Sequence, residues 1–202
     1  KLFEDFSNKE GTPLILGNLA YDYLKDAWYN GVFLVEPQNG LISPYYAKRQ
    51  LVPFGEYTPK PFSWIEPFGG IQGVFMAGEQ PHIIPLDLAG RTWSIGPLVC
   101  YEDIFPSLVR NSVNAGAEIL FVATNNSWYG EEGGAYFHAA HSVLRAVENR
   151  RPVIRCGNAG WSGWINPLGM TRGIMLDDRK SIYFKGSGNF EFKYTEEFDN
   201  FT

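Results

Sequence analysis

With 202 residues, 45% hydrophobic and 19% charged, the chain can bury one substantial core, which excludes an intrinsically disordered segment. A net charge of −5 supplies no basic surface, so no nucleic-acid partner is expected. The two cysteines, Cys100 and Cys156, cannot build a disulfide framework or a CxxC metal or redox pair, and no run reaches the ~18 apolar residues of a membrane span.

Residues 1–10 place Leu2, Phe3 and Phe6 on one face of a helix that Gly11 ends. TPLILGN (12–18) reads as a short buried strand. WYNGVFLVEP (28–37) reads as a second, closed by the turn Pro37-Gln38-Asn39-Gly40. VPFGEYTPKPF (52–62) is too rich in Pro and Gly for a regular element. HIIPLDLAG (82–90) and RTWSIGPLVC (91–100) follow as strands about the turn Ala89-Gly90-Arg91.

The period then changes. EDIFPSLVRNSVNAG (102–116) spaces Ile104, Leu108, Val109 and Val113 as in a helix ending at Gly116. EILFVATN (118–125) is a continuous apolar run, as in a strand buried on both faces. NSWYGEEGG (126–134) is a loop, and AYFHAAHSVLRAVENR (135–150) is a helix stopped by Pro152. PVIRCGN and SGWINPLG are further strands, and FEFKY (190–194) reads as a last edge strand. This order, hairpin strands and then strand–helix–strand–helix–strand, predicts a single α/β domain over residues 1–202 with helices packed on a sheet.

The sharpest local feature is GPLVCYEDIFPSLV, an apolar strand that runs into Cys100 with a helix starting shortly after. Such a turn projects a nucleophile from a strand end. Backbone N–H groups after the cysteine can then stabilise an oxyanion, and the helix N-terminus favours the thiolate. A small buried core cysteine is the plainer reading, and the charged Glu102 and Asp103 that follow argue against it. Cys156, in mid-strand, is read first as core packing, with a place at the edge of the same pocket as the alternative, since it lies near the strand's C-terminal end. His138 and His141 lie three apart on one helix face without a completing carboxylate or cysteine pattern, so they read as structural and no metal or cofactor is expected.

Cys100-Tyr101-Glu102 with Phe105-Pro106 resembles the nucleophile segment of the nitrilase (carbon-nitrogen hydrolase) superfamily. KRQLVPFGEYTP (48–59) resembles its lysine strand and loop. NNSWYG (125–130) and HSVLRAVENRRPVIRCGNAGWSGWINPLG (141–169) are similar to segments of one branch in particular, the bacterial apolipoprotein N-acyltransferases. The resemblance runs in order over roughly residues 12–170. It implies an αββα four-layer sandwich, here without its N-terminal strand and helices. It also implies a Glu–Lys–Cys triad in which Cys100 is the nucleophile, Lys48 the lysine and Glu56 a second glutamate beside it. Tyr101 and Glu102 match positions near the thiol, and Trp128 and Tyr129 match the aromatic pair of a loop beside the acyl or lipid site. Asn126 stands where the family has Asp, and Tyr129 where it usually has Phe.

The implied activity moves an acyl chain from a phospholipid donor to the N-terminal amine of a diacylglyceryl-cysteine lipoprotein through a thioester. The implied setting is the bacterial inner membrane, with the domain on the extracytoplasmic face and held there by segments outside this chain. Glu4, Glu10 and Glu36 lack the setting of the family's base glutamate. The base is therefore expected upstream of Lys1, in a longer membrane enzyme, and the chain alone is expected to be catalytically impaired. Two alternatives share these residues: a soluble amidase that transfers to water, and a fragment with a dead site. Lys48 with Arg49 also has a plainer reading as a solvated charge pair, and Glu56 and Glu102 as caps of backbone N–H groups.

Overall fold

The computed structural model describes residues 1–60, 75–131 and 133–192. The chain divides into two compact units, Lys1–His82 and Ile83–Thr202.

In the first unit, α1 (Leu2–Glu10) ends on Gly11 at φ 62, a left-handed cap that glycine adopts without a Cβ clash. The Ser7 hydroxyl, fully buried, donates to the Thr12 carbonyl at 2.7 Å and fastens the helix end. β1 (Leu14–Asp22) pairs antiparallel with β2 (Ala27–Glu36) from Leu14↔Val35 to Asp22↔Ala27. β1 is longer and less buried than expected, because it is the edge strand and β2 takes the covered position. Val32, Phe33, Leu34 and Val35 of β2 are all buried. Two short strands, β3 (Gly40–Leu41) and β4 (Tyr46–Ala47), also pair with β2, and β4 leads directly into Lys48.

The second unit is a six-stranded sheet. Its strands are β5 (Ile84–Leu88), β6 (Arg91–Val99), β7 (Ile119–Asn125), β8 (Val153–Asn158), β9 (Gly163–Ile165) and β10 (Thr171–Ile174), in spatial order β10-β9-β8-β7-β6-β5. β6, β7 and β8 run parallel, which requires crossovers, and α2 (Pro106–Asn114) and α3 (Gly134–Asn149) supply them. Leu98, Val109, Leu120, Val122, Ala139, Ala146 and Val153 are packed together in one core cluster from the sheet and both helices.

Two sequence expectations change here. The helix expected over 102–116 is split: residues Cys100–Ile104 form a 3₁₀ turn, and α2 starts at Pro106. Proline fits the first position of a helix and disfavours helical backbone in the residue before it, here Phe105 at φ −96, ψ 103. FEFKY forms no strand over Phe190–Phe192, and Lys193 and Tyr194 lie outside the described residues.

Candidate active site

Cys100 stands where β6, the apolar strand, meets the 3₁₀ turn. Its φ of 54 is left-handed, a region that costs a non-glycine residue roughly 1–3 kcal/mol and persists only where the surroundings over-determine it. Two carboxylates do so. The buried Glu102 side chain reaches back and accepts from the Val99 backbone N–H at 2.7 Å, strapping the strand end to the turn. The Tyr101 ring packs edge-on against Phe105 at 5.3 Å, closing the other side of the turn.

Asp103 is the second carboxylate and is fully buried. It accepts from His138 Nε2 at 3.0 Å, from the Ser142 hydroxyl at 2.5 Å and from Arg155 Nη1. Arg155 Nη1 also donates to Ser142 Oγ at 2.7 Å, and Arg145 donates to the Ile104 carbonyl at 3.2 Å. Burial by itself would push the Asp103 carboxyl up. The His138 hydrogen bond, the Arg155 charge and the Ser142 hydrogen bond outweigh it and hold the group below its ordinary value of 3.8. Burial pulls the Arg155 guanidinium down, against the opposing attraction of Asp103.

A carboxyl depressed in the folded state stabilises the fold above its unfolded value, and that stability disappears as pH falls through the lower, folded value. Asp103→Asn is therefore expected to flatten the loss of stability between roughly pH 5 and pH 2. At neutral pH it should cost about 3–5 kcal/mol, because the Arg155 charge is left buried without its partner. Denaturant titrations over that pH range check both, and an unchanged acid limb would remove Asp103 from this role.

The loop at 126–134 begins with a 3₁₀ turn, Ser127–Tyr129. Trp128 is 86% exposed and Tyr129 45%. Burial first, and then the charge of Asp103, push the Tyr129 hydroxyl up. Cys156 is not core packing. It is exposed, on the face of β8 opposite the fully buried Arg155, although the atoms around its thiol still push that group up by burial.

In the first unit the structure brings Lys48 and Glu56 together. The Lys48 ammonium is fully buried and donates to both Glu56 oxygens, at 2.8 and 2.7 Å. Glu56 also accepts from Asn30 Nδ2 at 3.2 Å and from the Val52 N–H at 2.8 Å. A solvated surface charge is thus the wrong description of Lys48. Glu56 both caps backbone and holds the ammonium. Glu4 and Glu10 make surface ion pairs with the Lys1 terminus and Lys9, and Glu36 accepts from Asn39 at 3.0 Å.

Sequence reasoning missed Arg155 and Ser142, noted Asn126 only as a departure from the family pattern, and underrated His138. The signals were a charged residue inside the apolar strand VIRCG, and His138, Ser142 and Arg145 at helical spacing on the buried face of α3.

The carbon-nitrogen hydrolase family profile matches residues 1–184. The chain is 38% identical over 170 residues to an apolipoprotein N-acyltransferase of Geobacter metallireducens, covering 81% of this chain and 31% of that protein. It is 31% identical over 189 residues to the apolipoprotein N-acyltransferase of Bdellovibrio bacteriovorus, covering 90% and 34%. The chain thus spans about a third of the length of these curated relatives. Among solved structures, an amidase from Nesterenkonia sp. has the same fold, with a TM-score of 0.64 and 21% identity, over 86% of this chain and 60% of that one. With a family profile matched over residues 1–184 and relatives at 31–38% identity, the chain belongs to the carbon-nitrogen hydrolase family, the nitrilase superfamily.

Proposed function

We propose that the chain carries the thiol chemistry of an apolipoprotein N-acyltransferase, moving an acyl chain from a phospholipid to the N-terminal amine of a diacylglyceryl-cysteine lipoprotein. The observation that carries this reading is Cys100 held in left-handed backbone at the end of a buried strand, in a chain 31–38% identical to proteins of that name.

The Cys100 thiolate attacks the ester carbonyl. The C–O bond breaks, the lysophospholipid leaves with a proton, and a thioester remains on Sγ. The amine then attacks the thioester, its proton passes to the general base that had protonated the leaving lysophospholipid, the C–S bond breaks, and the thiolate is regenerated as the amide departs. Lys48, oriented by Glu56, serves as the cation for the thiolate and the developing oxyanion, and the Tyr101 N–H as a second oxyanion donor. Glu102 holds the turn through the Val99 N–H. Trp128 and Tyr129 offer exposed aromatic surface for an acyl chain, which also keeps water from the thioester between the two steps. Residues 1–202 form part of one carbon-nitrogen hydrolase-type domain. It works at the extracytoplasmic face of the bacterial inner membrane.

Supplying the full-length protein with phospholipid vesicles and a diacylglyceryl-cysteine peptide tests the reading. The expected result is an N-acylated peptide, found by mass spectrometry, with matching lysophospholipid. Free fatty acid with no acylated peptide would contradict it and favour transfer to water.

A further inference from the structure

The buried polar chain beneath Cys100 does more than fill space. From Asp103, three residues after the thiol, one contact runs to Ser142 and Arg155 and another to His138. On its other side His138 meets the aromatic loop twice. Its Nδ1 lies 3.0 Å from Asn126 Nδ2, and the Tyr129 ring packs edge-on against the imidazole at 6.1 Å between centroids. The Asn126 carbonyl in turn accepts from the Tyr129 N–H at 3.0 Å, closing the turn that presents Trp128.

The donors and acceptors fix the direction of this chain. An ionised Asp103 only accepts, so His138 Nε2 carries the proton, and Nδ1 is left to accept from the Asn126 amide. Asn126 and His138 are both buried, and a Cβ on Gly160 would sit 2.8 Å from the Asn126 Cβ, so the amide has little room to swing away.

We infer that His138 is a positioning residue that ties the Cys100 turn, through Asp103, to the Trp128–Tyr129 loop, through Asn126, so that the thiol and the aromatic surface beside it are held in one register. The inference rests on Cys100 being the reactive thiol of the proposed function. Its test reads thiol chemistry and loop cleavage instead of acyl transfer, so failure of the acyl-transfer reading does not decide it.

Two variants separate the halves. In His138→Gln the amide nitrogen takes the place of Nε2, keeping a donor for Asp103 and losing the acceptor for Asn126. In His138→Asn the amide oxygen takes the place of Nδ1, keeping that acceptor and losing the donor for Asp103. In the full-length protein, iodoacetamide labelling of Cys100 is followed by peptide mass spectrometry with Cys156 as internal reference. Chymotryptic cleavage after Trp128 or Tyr129 reports the loop. His138→Gln is expected to keep Cys100 labelling within twofold while speeding loop cleavage at least fivefold. His138→Asn is expected to slow Cys100 labelling at least fivefold while leaving loop cleavage within twofold. Identical behaviour of the two variants in either readout, or the reverse pattern, overturns the assignment, because a residue that only fills volume has no reason to separate them. Should neither variant fold, Ser142→Ala removes one donor from Asp103 without stranding a charge. It is expected to slow Cys100 labelling about threefold with loop cleavage unchanged, and unaltered labelling overturns the proposal.

Discussion

Cys100→Ala in the full-length protein is expected to lower acyl transfer by about 10⁴–10⁶-fold, the range seen when a covalent nucleophile is removed. The loss should be chemical. Alanine lacks the sulfur but can keep the turn, because the devices that hold it belong to neighbours: the Val99 N–H on Glu102, and Asp103 on His138, Ser142 and Arg155. Stability should therefore move by less than about 1 kcal/mol, as for most substitutions that break no buried network. Cys156→Ala is the matched control. Its thiol is pushed up by burial and lies on the strand face opposite the buried Arg155, so activity should stay within about twofold. Initial rates and thermal midpoints of both variants check this. Activity above a tenth of wild type in Cys100→Ala, or an equal loss in Cys156→Ala, would remove Cys100 from the nucleophile role.

Lys48→Met should have the second largest effect, on stability as well as rate. The ammonium is fully buried and donates to both Glu56 oxygens, and methionine leaves that carboxylate with a neutral neighbour. Breaking one side of a buried pair costs about 3–5 kcal/mol. The remaining Asn30 and Val52 donors should bring the cost to the lower end. On the proposed role of Lys48 as the cation for thiolate and oxyanion, its loss should cost about 10²–10³-fold in rate. The double variant Lys48→Met/Glu56→Gln separates the two effects. With both charges removed, most of the stability should return, while the rate stays low. Recovery of both together, in urea titrations and initial rates, would make the pair purely structural.

The elements that local pattern specifies well were legible in the amino-acid sequence. The hairpin about Ala89-Gly90, the apolar strand over 119–125 and the long helix to Asn149 all depend on period and turn chemistry within a few residues, and all are present. What was misread depends on partners distant in sequence. TPLILGN reads as buried from its own residues, yet among the described residues β1 has a neighbour on one side only. Cys156 looks like core because its strand is apolar, but the pleat gives the covered face to Arg155, which is tolerable only because Asp103, 52 positions away, neutralises it. The candidate site divides in the same way. Cys100, Tyr101 and Glu102 lie on one short segment and could be read as a turn. The buried Lys48–Glu56 pair needed the likeness to a family, since charged residues around a Pro-Gly-rich loop usually face water. The Asp103–His138–Asn126 chain joins three separate elements, and no spacing in the sequence marks it.

The central claim is that an acyl group rests on Sγ of Cys100. Full-length protein is incubated with phospholipid vesicles without acceptor, quenched in acid, digested and analysed by mass spectrometry. The peptide containing Cys100 should carry the mass of a donor acyl chain, and neutral hydroxylamine should release it. An unmodified Cys100 peptide, or the same adduct on Cys156 instead, would contradict the account.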